Sequence, residues 1–479
     1  MLFHTLTFAV FLVVVFTLYW AIRRLGLRFQ NLFLVLASYV FYGWWDYRFL
    51  ILIFISSLTD YMVGRGLEKV ENPGRRKLLL IVSVVVNLGL LGFFKYFDFF
   101  IDSFSTLLGI FGLRVNPTSL NFILPVGISF YTFQTLSYTI DVYRRRVKPT
   151  RDAIAFFSFV SFFPQLVAGP IERASNLLPQ FLKERRFDPK EAVEGLRQIL
   201  WGLVKKVVVA DFVASYVDSI FNAYGNLDGL VLVGGVFLFA IQIYCDFSGY
   251  SDIAIGVARL FGFRLMRNFA YPYFSRDIGE FWRRWHISLS SWFRDYVYYP
   301  LGGAFGTPGK RFLVIIVTFT LSGFWHGANW TFILWGLLNG LYYLPLVFAK
   351  NPTHHKGVVA KGRFLPTWRE FFQMAGTFAA VLFGWVLFRS ESLSHAFGFL
   401  KRMITHPYLP GEVWHTPYLE PILVGLGLLF LEWVQRRKQH TLDIGGLPQA
   451  WRWAIYYAVS LVIICFGTFA AKEFIYFQF

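Results

Sequence analysis

Nine histidines occur in the 479 residues, and two stand where an imidazole is costly. His326 lies in "LSGFWHGANW" (321–330), where one apolar run ends and the next opens. Trp325 and Trp330 stand beside or near it, with Gly323 and Gly327 around it and Asn329 close behind. On a helix, Ser322 and Gly323 fall one turn before the histidine, and Asn329 and Trp330 one turn after. A structural histidine held by a carbonyl or by Asn329 is the plain reading. Ionisable groups inside a membrane are rare, however, and mark functional pathways by default. A neutral imidazole, with an ordinary pKa near ~6.5, takes a proton from an attacking hydroxyl. Burial among aromatics disfavours its charged form. No GxSxG turn occurs, and no serine or aspartate completes a triad by spacing. The base is therefore expected to act on a bound substrate rather than on a protein nucleophile.

His286 is the second. It lies in "EFWRRWHISLSSWFRDY" (280–296) beside Arg283 and Arg284. Guanidinium forks match phosphate oxygens, so these arginines suit an activated acyl carrier, or lipid headgroups equally. Ser290 follows one turn later. A third stretch, "QIYCDFSGYSD" (242–252), offers Asp246 for a buried hydrogen bond and Asp252 as the cap of a following helix. Trp325, Asn329, Arg283, Arg284, Asp246 and Ser290 are thus the candidates to line the site of His326 and His286. The two cysteines, Cys245 and Cys465, are far apart. They argue against a disulfide framework or a cysteine-built metal site, and no metal is expected. Cys245 reads as buried.

The elements that must position these residues are membrane helices. The chain is 56% hydrophobic and 15% charged, against about 25% charged in soluble domains. Its net charge of +18 is dispersed in short clusters between apolar runs ("RRLGLR", "GRRK", "YRRRVKPTR", "KERR", "QRRK"). That is the pattern of cytoplasmic loops, not the single basic stripe of a nucleic-acid binder. A span needs ~20 apolar residues. Segments 5–22, 31–45, 49–63, 78–94, 119–140, 198–222, 229–245, 312–326, 328–349, 370–389, 419–435 and 452–472 qualify. The expected fold is an all-α integral membrane protein of 11 or 12 spans, one polytopic domain over 1–479. The first apolar segment reads as a retained span. Loop charges place the N-terminus outside and residues 64–77 inside. Segment "AIAFFSFVSFFPQLVAGP" (153–170) must then not cross, and its Pro164 and Pro170 suit a re-entrant or broken segment. Residues 282, 285, 289, 292, 293 and 296 form one apolar helical face, expected to lie along the cytoplasmic interface. By the same loop count His286 is cytoplasmic and His326 lies toward the outer half, both facing a wet cavity. The two would mark opposite ends of one route.

Six stretches in order resemble the membrane-bound O-acyltransferases: "ASYVFYGWW" (37–45), "LPVGISFYTFQTLSYTIDVYR" (124–144), "FPQLVAGPIER" (163–173), "QIYCDFSGYSDIAIG" (242–256), "NFAYPYFSRDIGEFWRRWHISLSSWFRDYVYYPLGG" (268–303) and "FWHGANWTFILWGLLNG" (324–340). The similarity is densest over 120–345, the expected core. It implies a ring of helices around a thin centre with a tunnel, His326 as the catalytic residue and His286 as its earlier companion. It also implies passage of an acyl group from a cytoplasmic donor, acetyl-CoA or an acyl carrier, with no tightly bound cofactor. The recipient would be an exported polysaccharide such as alginate, reached through an extracytoplasmic partner protein, in a bacterial inner membrane. Peptidoglycan O-acetylation and teichoic-acid D-alanylation fit the same scaffold. A polysaccharide or ion transporter is the non-enzymatic alternative, but it has no need of His326.

Overall fold

The structure, a computed structural model, describes residues 1–113, 124–167, 169–349, 355, 357–407, 418–469 and 474–475. Among the described residues every regular element is helical. Seven segments are long and apolar enough to cross a membrane: Leu6–Leu25, Tyr47–Lys69, Pro73–Ile110, Gly229–Leu260, Trp330–Phe348, Trp368–Arg389 and Gln449–Phe466. Other expected spans became shorter or more polar helices. Leu27–Gly43 and Leu419–Gln435 have 17 residues each. Ile128–Tyr143 has 16 and is buried over nearly its whole circumference by protein. Segment 198–222 is interrupted by a wide turn, Val204–Ala210, that carries the buried Lys205 and Lys206. The start of the expected span 119–140 and the end of 452–472 lie outside the described residues.

The chain divides into two compact units, residues 1–192 with 257–266, and residues 193–256 with 267–479. In the first, helices Leu50–Lys69, Pro73–Leu91 and Ile128–Tyr143 pack around a buried carboxylate. Asp60 accepts hydrogen bonds from Ser83, from Asn87 Nδ2 at 2.8 Å and from Thr139 Oγ1 at 2.9 Å. Polar side chains bonded across helices hold them together where lipid supplies no hydrophobic drive. Helices Ala153–Ser161 and Phe163–Leu166 make a short apolar stretch, broken at Phe162.

The second unit carries both histidines. Its framework is residues 229–256 of the long helix Gly229–Leu260 and a hairpin of helices Pro308–His326 and Trp330–Leu341. A Cβ on Gly323 would strike the Phe332 carbonyl, and one on Gly336 the Phe319 carbonyl. The small residues let the two backbones touch, so His326 is held at the end of a rigid hairpin.

The amphipathic segment departs from the single helix expected. It forms two short helices, Ile278–Arg284 and Ile287–Phe293, broken at His286, which adopts left-handed φ 41° and ψ 55°. Backbone bonds cause the break: Ala270 N donates to Arg284 O at 2.9 Å, and Ile287 N to Asn268 O at 2.9 Å. The apolar face meets protein rather than lipid. Trp282, Trp285, Leu289, Trp292 and Phe293 are all buried.

Candidate active site

His326 is the last residue of helix Pro308–His326, followed by the turn Gly327-Ala328-Asn329. Its ring is 4% exposed and stands edge-on to Trp325, Trp335 and Phe388, with centroids 5.0, 5.2 and 5.3 Å away. Trp385 stacks on Trp335 at 5.9 Å and touches Trp285 at 5.1 Å. The helix presents its negative end to the imidazole, which favours positive charge developing on the ring.

His286 is 1% exposed. Phe247 stands edge-on to it at 4.6 Å, and Trp325 at 6.2 Å. Trp325 therefore touches both imidazoles. The histidines expected at opposite ends of a route flank one indole instead, and both are buried.

The tautomer of His286 follows from its partners. Asn268 Oδ1 accepts from Ser288 N at 3.2 Å and from Ser288 Oγ at 2.9 Å. A backbone N–H only donates, so this atom is the amide oxygen. His286 Nδ1, 3.2 Å from the same oxygen, must then carry the proton. The lone pair is left on Nε2. The Asn268 Nδ2 donates to Ser251 Oγ at 3.1 Å, which ties the arrangement to helix Gly229–Leu260. Burial pushes the His286 imidazole down to about 3, so it is neutral at physiological pH.

A cavity of about 320 Å³ adjoins this cage, lined by Trp282, Arg283, Ile287, Ser290, Ser322 and Arg294 among others. Ile287 follows His286 directly, and Ser322 lies one turn before His326. Neither imidazole lines the cavity wall. Arg283 and Arg294 are exposed on it.

The remaining sequence candidates separate. Trp325 joins the two histidines, and Arg283 and Ser290 line the cavity. Arg284 serves the fold instead: it pairs with buried Glu280 at 2.7 Å and donates to the carbonyls of Ala270 and Gly357. Asn329 does not reach His326; it caps helix Trp330–Leu341, accepting from Thr331 N, and donates to Glu391 O. Asp246 accepts the Lys206 ammonium at 2.6 Å and Ile475 N at 2.7 Å, a buried ion pair rather than a tunnel wall. Asp252 starts no helix, because Gly229–Leu260 runs through it; it pairs with Lys205 at 2.5 Å. Cys245 is buried. Asn268, Phe247, Trp385 and Phe388 were not singled out from the sequence. Asn268 lies within a quoted motif, 18 residues before His286, but nothing local marks it as the partner of that imidazole.

The pattern of the membrane-bound O-acyltransferase family matches residues 143–384. The chain is 42% identical over 383 residues to a protein of Pseudomonas aeruginosa named "Probable alginate O-acetylase AlgI", covering 79% of this chain and 71% of that one. It is 36% identical over 405 residues to the "Peptidoglycan O-acetyltransferase" of Helicobacter pylori, covering 78% and 74%. A "Teichoic acid D-alanyltransferase" of Streptococcus thermophilus is 30% identical over 262 residues, covering 51% and 62%. The chain belongs to the membrane-bound O-acyltransferase family. It is a multi-pass membrane protein and, by that membership, an acyltransferase.

Proposed function

We propose that this chain is an O-acetyltransferase. It takes an acetyl group from a cytoplasmic thioester, acetyl-CoA or an acyl carrier, and delivers it to hydroxyl groups of an exported polysaccharide such as alginate. It does so in the inner membrane of a bacterium, with loop 23–28 in the cytoplasm and an extracytoplasmic partner presenting the polymer. The observation that carries this reading is the pair of buried imidazoles on Trp325, beside a cavity edged by Arg283 and Arg294.

In the transfer, the neutral ring of His326 takes the proton of the attacking hydroxyl. The hydroxyl oxygen forms a bond to the thioester carbonyl, the carbon–sulfur bond breaks, and the thiolate takes the proton back from the imidazolium. Ester and thiol result, and the histidine is regenerated. His286, fixed by Asn268 with its lone pair on Nε2, orients the reacting groups from the other side of the indole. Arg283 and Arg294 hold the donor's phosphates at the mouth of the cavity. No metal enters the scheme, and no nucleic acid is a partner.

The peptidoglycan relative supports a second acceptor, the hydroxyls of cell-wall glycan. Membrane vesicles with labelled acetyl-CoA on the cytoplasmic side separate the two. Label appearing in alginate supports the first reading, and label appearing only in peptidoglycan fragments supports the second. Label in neither, with the thioester intact, would refute an acetyltransferase acting from that donor.

A further inference from the structure

Within the first unit, the turn after the first span encloses a cavity of about 760 Å³ that the acyl-transfer chemistry does not use. Its lining includes Trp20, Arg23, Arg24, Gln30, Glu184 and Arg185. Three guanidiniums face one carboxylate, so the cavity is net positive. The guanidinium of Arg185 is fixed: Nε donates to Tyr19 Oη at 2.5 Å, Nη2 donates to Asn31 Oδ1 at 2.7 Å, and the guanidinium carbon stands 4.8 Å over the Phe263 ring. Arg23 and Arg24 differ. Both are exposed, and neither side chain enters an ion pair or hydrogen bond among the described residues.

The surroundings identify what these arginines meet. Leu18, Leu25, Phe29, Leu182 and Phe187 are large apolar side chains exposed on the same segments, at 46, 62, 57, 47 and 45%. They suit hydrocarbon. The indole of Trp20 packs against Phe187 at 5.4 Å while its N–H donates to Leu260 O, the placement of a side chain at a membrane interface. A basic cavity at interface depth, bordered by lipid-facing apolar groups, has the chemistry of a lipid headgroup site. Helix Leu27–Gly43 also opens at Gly26 without a side-chain cap, which leaves its first N–H groups directed toward the same space.

We propose that this cavity binds the phosphate of an anionic membrane phospholipid, with Arg23 and Arg24 as the ligands, Arg185 as a fixed background charge, and the acyl chains lying along the exposed apolar residues. The site would fasten the hairpin of the first two long helices to the negatively charged leaflet. Free inorganic phosphate satisfies the arginines alone and has no use for the apolar border, so it should bind far more weakly.

The test is lipid retention by the full chain purified in a mild detergent and titrated with phosphatidylglycerol or phosphatidylcholine, read by native mass spectrometry. The wild type should retain phosphatidylglycerol preferentially, and 10 mM inorganic phosphate should not displace it. Arg23→Gln with Arg24→Gln should weaken retention by ~5-fold per arginine, the equivalent of the ~1 kcal/mol typical of a basic side chain at an anionic surface. Arg75→Gln, a neutralisation elsewhere on the chain, should not. The pair Arg23→Lys and Arg24→Lys keeps the charge and should recover most of the retention, which separates loss of the ligand from loss of the fold. Equal retention of the two lipids by the wild type, unchanged retention in the double Gln variant, or displacement by inorganic phosphate would overturn the proposal.

Discussion

His286 Nδ1 lies 3.2 Å from Asn268 Oδ1, and that oxygen also takes the backbone N–H of Ser288. One side-chain amide therefore both holds the start of the second short helix and sets the tautomer of a buried imidazole. Asn268→Ala leaves these donors buried without their acceptor, at a cost of ~1–3 kcal/mol. Acetyl transfer should fall by more than the loss of folded protein accounts for. Asn268→Asp retains an acceptor for both groups and should keep more activity than the Ala variant, with its pH–rate profile moved upward by the added negative charge. Rates at matched membrane levels check this; equal rates for the two variants would mean that Asn268 only fills space.

Burial holds His286 down to about 3, below its unfolded value of ~6.5. Under pH 6.5 the unfolded chain takes up a proton that the fold refuses. The contribution of the neutral ring is therefore complete above pH ~6.5 and is lost as pH falls toward 3. His286→Gln removes this linkage. At pH 5 the wild type should have lost roughly 2 kcal/mol relative to the Gln variant, measured from the difference between pH 7.5 and pH 5. Thermal unfolding in detergent reads it, and parallel curves for the two proteins would contradict it.

A Cβ at Gly336 would collide with the Phe319 carbonyl, whereas one at Gly376 meets nothing within 4 Å. Gly336→Ala should separate the hairpin that carries His326 and cost ~1–3 kcal/mol. Gly376→Ala, in an open helical position, should be neutral or stabilising by ~0.5–1 kcal/mol. Melting temperatures of the two variants decide it.

The elements were legible where composition alone governs. Apolar runs located the helices. Legibility failed where hydrogen bonds formed between distant residues replaced a local pattern. The period of residues 282–296 reads as one helix, but backbone bonds from 268–270 divide it. Asp252 reads as a cap only while Lys205 is out of view, and Asn329 reads as a partner of His326 only until the turn at 327–329 is seen. His326 was recognisable by its expense at membrane depth, and His286 by the arginines beside it. Their common contact with Trp325 was not, because no local spacing relates residue 286 to residue 325.

Arg283 and Arg294 line the cavity, while Arg284 holds buried Glu280. Replacing Arg283 and Arg294 together by Gln should raise KM for a phosphate-bearing thioester donor about tenfold or more, with kcat within about twofold, as expected for groups that bind ground and transition states alike. Arg284→Gln should instead reduce the amount of folded protein, by ~1–3 kcal/mol, because buried Glu280 keeps Arg276 but loses one of its two guanidinium partners. Saturation kinetics beside membrane protein levels distinguish the two effects. A change in kcat alone for the double variant would remove the donor role from these arginines.

The assignment of His326 as general base is tested most directly by the acetyl content of the exported polymer in cells carrying His326→Ala and His326→Gln at matched membrane levels. The ring is flanked by Gly327 and lies at a helix end, so both variants should accumulate as folded protein. Acetylation should fall by the ~10²–10⁴ typical of losing a general base, in both variants alike, because an amide hydrogen-bonds but cannot take the proton. Wild-type acetylation by the Gln variant would show His326 to be a hydrogen-bonding strut and would contradict the mechanism.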